Sequence, residues 1–135
     1  MMKLFLTVQL QPDDLLLSEC LKSIKENYDL FDFIFISMIS EPANGTEVLF
    51  AELAELANVR VRILPTPLDY GEHCRAIDHW IADFIQEGHI FRLDGNAILQ
   101  RKGIEELKTL KLLNSDAAIG PFYIVSPQTA LRLTM

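Results

Sequence analysis

With 135 residues, 50% of them hydrophobic and 23% charged, the chain has the composition of an ordinary globular domain, not of a disordered segment. Its formal net charge of −7 excludes a general electrostatic grip on nucleic acid, which needs a dense basic face. Two cysteines, Cys20 and Cys74, are too few for a disulfide framework and are expected as free thiols in a reducing cytoplasm. No stretch approaches the roughly 20 apolar residues of a membrane span, and the apolar run after Lys3 lacks a signal-peptide cleavage site.

In chain order, LFLTVQL (residues 4–10) reads as a strand. Asp13 and Asp14 would open a helix with carboxylates at its positive end. Leu17, Cys20, Leu21, Ile24 and Tyr28 then form one buried stripe. DFIFISMIS (32–40) is continuous and apolar, as in a strand buried on both faces. EPANGT (41–46) is a loop, and a helix runs from it to about Ala57. In NVRVRIL (58–64), Val59, Val61 and Ile63 share one face of a strand and Arg60 and Arg62 the other.

After the loop PTPLDYGE (65–72), Ile77, Trp80, Ile81 and Phe84 mark an amphipathic helix stopping near Gly88. HIFRL (89–93) is a short strand running into Asp94. RKGIEELKTLKLL (101–113) is a helix carrying Ile104, Leu107 and Leu110, and AAIGPFYIVS (117–126) is a strand pair or a bent strand. SPQTALRL (126–133) reads as a helix start, with Ser126 as cap and Pro127 in the first helical position.

This alternation predicts one α/β domain over residues 1–135, a three-layer αβα sandwich with a mostly parallel sheet. Strands 4–10, 32–38, 59–64 and 89–93 are expected at its centre. In such sheets ligands sit beyond the carboxyl ends of the strands. That selects the loops 9–13, 37–46, 65–72 and 94–97. The first 58 residues hold three basic and ten acidic residues, whereas residues 59–135 hold nine of each. An anionic ligand would therefore be neutralised by the second half.

Within these loops Asp94 reads either as a carboxylate presented at a strand end or as simple Asp-Gly-Asn turn chemistry. Arg92 is expected in a structural ion pair. Gly71 would let a backbone approach a ligand, beside Asp69 and Tyr70. Arg75 could meet a phosphate near a helix start. His73 and His79 are six apart, which is not one helix face and does not favour a metal pair. Trp80, Phe84 and the Phe31, Phe33, Phe35 series are expected in the core.

Four stretches together carry a family resemblance: LLLSECLKSIKENYDLFDFIFIS, NVRVRILPTPLDYGEHCRAIDHWI, IFRLDGNAIL and NSDAAIGPFYIVSPQTAL. The chain resembles the nucleotide-sugar-binding half of a family-2 glycosyltransferase of the GT-A, Rossmann-like fold. The resemblance implies a nucleotide-diphosphate-sugar donor and a Mn²⁺ or Mg²⁺ ion. It implies donor-binding roles for Gln9, Pro12, Ser37, Ser40, Tyr70, Gly71, Arg75 and Asp94, and a metal held by Asp94 and Asn96. It names no catalytic residue here, because the family's base lies in a later, acceptor-side segment.

The sequence departs from the pattern in two places. Ser37 and Ser40 stand where the family carries acids after the second strand. Asn96 replaces the last carboxylate of the Asp-x-Asp motif, which lowers the expected metal affinity. The alternative is therefore a non-catalytic α/β module for homo-oligomer assembly or small-ligand binding. At a mean hydropathy of +0.19 the chain has apolar surface to spare, so a dimer is expected. A dinucleotide or P-loop fingerprint is absent from the sequence.

Overall fold

The computed structural model describes residues 3–41, 45–85, 87–109, 117–119 and 122–125, with side chains as far as residue 106. The elements are β1 (Leu4–Leu10), α1 (Leu17–Asn27) with a 3₁₀ turn at Tyr28–Leu30, β2 (Phe33–Ile39), α2 (Glu47–Ala54), β3 (Val59–Leu64), α3 (Tyr70–Ala82), β4 (His89–Asp94), α4 (Arg101–Thr109), β5 (Ala117–Ile119) and β6 (Phe122–Val125). The sheet order is β3-β2-β1-β4-β6-β5. The first four strands are parallel, and β6 and β5 continue antiparallel from β4. The expected mostly parallel α/β sheet is present, and within 117–126 the described strands β5 and β6 pair with each other.

Two apolar layers enclose the sheet. Leu17, Cys20, Leu21 and Ile24 of α1, Phe50 and Leu53 of α2 and Ile104 of α4 pack on Leu6, Val8, Ile34 and Ile36. On the opposite face, Ile77, Ile81 and Trp80 of α3 meet Phe5, Phe35 and Ile90. Each fully buried aliphatic contributes about 1.5–3 kcal/mol, so these stripes hold the helices against the sheet.

Several expectations need correction. β3 lies at the sheet edge among the described strands, not at its centre. Helix α1 begins at Leu17 with no side-chain cap. Asp14 does not cap it: its carboxylate instead accepts the Gln11 amide at 2.8 Å, closing the preceding turn. Tyr28 is 39% exposed and falls in the 3₁₀ turn. Helix α2 ends at Ala54, three residues short of the expected stop.

Helix α3 ends at Ala82. Gly88 does not cap it but opens β4 with φ +110°. A Cβ there would stand 2.8 Å from the Lys3 carbonyl oxygen, so this position requires glycine. Phe33 and Phe84 are 40% and 60% exposed and lie outside the core. The expected side chains Leu107 and Leu110 and the helix start at 126–133 lie outside the described residues.

Candidate functional site

Parallel pairing aligns four polar residues in one row across the carboxyl ends of the strands. Arg62 pairs with Ser37, Ser37 with Gln9, and Gln9 with Asp94. Because side chains alternate, this row shares a face with Phe5, Phe35, Arg60 and Arg92. That is the face covered by α3. The helix therefore has two halves. Ile77, Trp80 and Ile81 pack on the apolar end of the sheet, His73 and Cys74 meet the polar row, and Asp78 meets Arg92 on the same face just before it.

Four contacts join α3 to this face of the sheet, three of them to the row itself. His73 Nε2 lies 2.8 Å from Ser37 Oγ, and both residues are fully buried. Cys74 Sγ donates to Gln9 Oε1 at 2.9 Å, and Gln9 Nε2 donates to the Tyr70 carbonyl at 3.2 Å. Arg92 forms an ion pair with Asp78, as its sequence context suggested. The start of α3 is fixed by a capping box, in which Asp69 Oδ1 accepts Glu72 N and Glu72 Oε1 accepts Asp69 N.

Burial dominates the electrostatics here. His73 is lowered to about 4, first by desolvation and then by the charge of Arg62, so it is neutral at pH 7. Its Nδ1, together with Nε and Nη2 of Arg62, has no hydrogen-bond partner among the described residues. Burial raises the Cys74 thiol and pushes Cys20 up to about 12. Neither thiol has the character of an activated nucleophile.

The Asp94–Gly95–Asn96 segment is a turn that also binds the approach to α1. Ala97 N donates to Asp94 O at 3.0 Å, and Asn96 N to Asp94 Oδ1 at 3.1 Å. Asn96 Oδ1 accepts Leu16 N at 3.3 Å, and its Nδ2 donates to Asp14 Oδ1 at 3.4 Å. Gly95 is pressed against Asp14: a Cβ at residue 95 would lie 2.0 Å from Asp14 Oδ2. Asp14 is raised above the usual carboxylate range, mainly by burial and partly by the negative charge of Asp94.

The structure thus brings Gln9, Ser37, Tyr70 and Asp94 to one end of the sheet. Pro12 is half-buried in the turn after β1. Ser40 is exposed beyond β2 with φ 70°, and its amide donates to Leu64 O. Gly71 and Arg75 are exposed on the first turns of α3, where the hydrogen bond from the Glu72 amide, and after it the charge of Arg75, hold Asp69 below its ordinary value. Sequence reasoning missed Asp14, Arg62, His73, Cys74 and Asp78 as members of this cluster. Their partners lie 14 to 82 residues away, and only the Asp69-x-x-Glu72 box carried a local signal.

A metal needs more ligands than Asp94 alone. Among the described residues no group of three or more His, Cys, Asp or Glu side chains could hold one. The negative charge of Asp94 nevertheless acts on Asp14, and Asn96 Oδ1, which accepts the Leu16 amide, belongs to the same turn. Two carboxylates completed by water suit Mg²⁺ or Mn²⁺, which retain waters readily.

No protein-family model matches the chain, and no curated protein matches it. Among solved structures, S. aureus TarS (residues 1–349) superposes with a TM-score of 0.63 at 10% identity. The match covers 93% of this chain and 47% of that one, so the chain spans about half the length of the TarS structure. Likeness at this identity concerns the fold: the chain has the α/β, GT-A/Rossmann-like architecture seen in TarS.

Proposed function

We propose that the chain is a glycosyltransferase-like domain that binds a nucleotide-diphosphate sugar at the carboxyl ends of β1 and β4. The observation that carries this reading is the alignment of Gln9 with Asp94 on adjacent parallel strands, with Asp14 and Asn96 gathered at the same turn. The fold likeness to TarS, a glycosyltransferase, supports it.

In this reading Asp94 and Asp14 hold a Mg²⁺ or Mn²⁺ ion, with Asn96 Oδ1 as a weaker ligand. The ion would offset the charge of the diphosphate. Tyr70, Gly71 and Arg75, exposed at the start of α3, would border the nucleoside, and Pro12 and Ser40 would rim it. Gln9 has a different task from direct contact. Both ends of its amide are engaged by Tyr70 and Cys74, so it orients the α3 start. Ser37 likewise sits beneath the surface and sets His73.

The engagement of Gln9, Ser37 and Asn96 within the protein also favours the second reading, a non-catalytic module whose polar row only fastens α3 and α1 to the sheet. Calorimetric titration of nucleoside diphosphates and their sugars, with and without Mn²⁺, separates the two. Donor binding predicts Mn²⁺-dependent heat that Asp94→Ala abolishes and Asn96→Ala weakens less. Absence of binding by the parent chain rejects it in favour of the module. Equal affinity in Asp94→Ala moves the site away from this turn.

A further inference from the structure

The polar row leaves one buried charge without a counter-ion. Lys25, Arg92 and Arg101 each meet an acid. Arg62, half-buried on the edge strand β3, meets none among the described residues. Burial alone lowers its guanidinium from the ordinary value, with no acid among the causes.

Two Arg62 donors, Nε and Nη2, are buried without a hydrogen-bond partner among the described residues. Together they form one side of the guanidinium fork, the edge that grips a carboxylate or a phosphate with two parallel bonds. Trp80 holds the fork in place, with the guanidinium carbon 4.5 Å from the ring centroid. The ring attracts the charge but offers no oxygen to the N–H edge.

A third unsatisfied group stands beside the first two. Arg62 is in register with Ser37, and Ser37 Oγ lies 2.8 Å from His73 Nε2. His73 is fully buried, its Nδ1 has no partner among the described residues, and the charge of Arg62 acts on its ring. With the Ser37 hydroxyl donating to Nε2, the neutral ring carries its proton on Nδ1. All three groups are then donors. A buried donor without an acceptor is rare and costs its full desolvation.

The acids of α3 near this point are engaged elsewhere: Asp69 and Glu72 in the capping box, Asp78 with Arg92. The net charge of −7 acts weakly on a contact of this kind. Exposed charges beyond about 10 Å are screened at 0.1 M salt, whereas a buried ion contact is not. We propose that Arg62 and His73 Nδ1 bind a compact oxyanion, a phosphate or carboxylate group, that enters from the β3 edge beneath the start of α3. The site needs no metal and is separate from the Asp94 turn, because Ser37 and Gln9 lie between the two in the row.

The probes are sodium phosphate, sodium acetate and uridine diphosphate, each without divalent metal and matched in ionic strength with sodium chloride. Trp80, the sole tryptophan, reports contact through its emission. At least one probe is expected to change the emission saturably and to raise the unfolding temperature. Phosphate also stabilises proteins by exclusion from their surface, so Arg62→Met and Arg62→Lys are measured beside the parent. Arg62→Met should abolish the response. Arg62→Lys keeps the charge but loses the fork, and should weaken binding about tenfold or more. A response to phosphate assigns a free phosphate, a response to the nucleotide alone a phosphate that it carries, and a response to acetate alone a carboxylate. No saturable response to any probe, binding by Arg62→Lys equal to the parent, or an equal stability difference between Arg62→Met and the parent with and without probe overturns the proposal. The last outcome makes Arg62 a packing residue for Trp80.

Discussion

Arg92 on β4 and Asp78 on α3 form a buried ion pair two residues before Asp94, the residue at the strand's end. Asp78 is 1% exposed, and burial raises its carboxyl despite the opposing guanidinium. Removing one member strands the other charge, at a cost of about 3–5 kcal/mol. Asp78→Asn and Arg92→Met should each lower stability on that scale in urea unfolding. The double replacement Asp78→Asn with Arg92→Met should cost clearly less than the sum of the two. Additive losses would show that the two do not act as a pair.

His73 gives a pH dependence whose sign is fixed by its lowered value. The unfolded chain binds a proton near pH 6.5, and the folded chain only near pH 4. The unfolded state therefore holds more protons between these values, and stability falls as pH drops through them. The full loss attributable to His73 is about 3 kcal/mol. His73→Gln should flatten the difference in unfolding free energy between pH 7 and pH 4.5 relative to the parent. An unchanged pH slope would mean that His73 titrates normally in the fold.

Gly95 faces Asp14 so closely that a methyl group would displace the carboxylate from the Gln11 amide. Gly95→Ala should lower the unfolding free energy by about 1–3 kcal/mol. Gly103 has open space around it on α4, so Gly103→Ala should be neutral or stabilising by up to about 1 kcal/mol. Thermal unfolding of the two variants gives opposite signs if the packing argument holds.

Both thiols are raised by burial, so neither carries much thiolate near pH 8. A thiol reagent at pH 8 should label the folded chain slowly at both Cys20 and Cys74, and rapidly in urea. Fast labelling of Cys74 alone in the folded chain would show that its contact with Gln9 opens readily.

The sequence by itself determined the alternation of elements, the core stripes and the position of Asp94 at a strand end. These are local properties: Leu17, Cys20, Leu21 and Ile24 share a helix face by spacing alone, and Arg60 and Arg62 oppose Val59, Val61 and Ile63 by strand alternation. Only the tertiary structure decided which strand became the edge, because strand order is set by crossover connections and not by strand composition. It also decided that Phe33 and Phe84 stand outside the core, since their spacing fits burial but Phe33 opens β2 and Phe84 falls in the turn after α3. The polar row belongs there too. Gln9, Ser37 and Arg62 become neighbours through parallel register, and His73, Cys74 and Asp78 reach that end of the sheet only because α3 packs back across it. No short-range pattern encodes a contact between residues 36 or 65 positions apart; the packing of α3 on the sheet creates it.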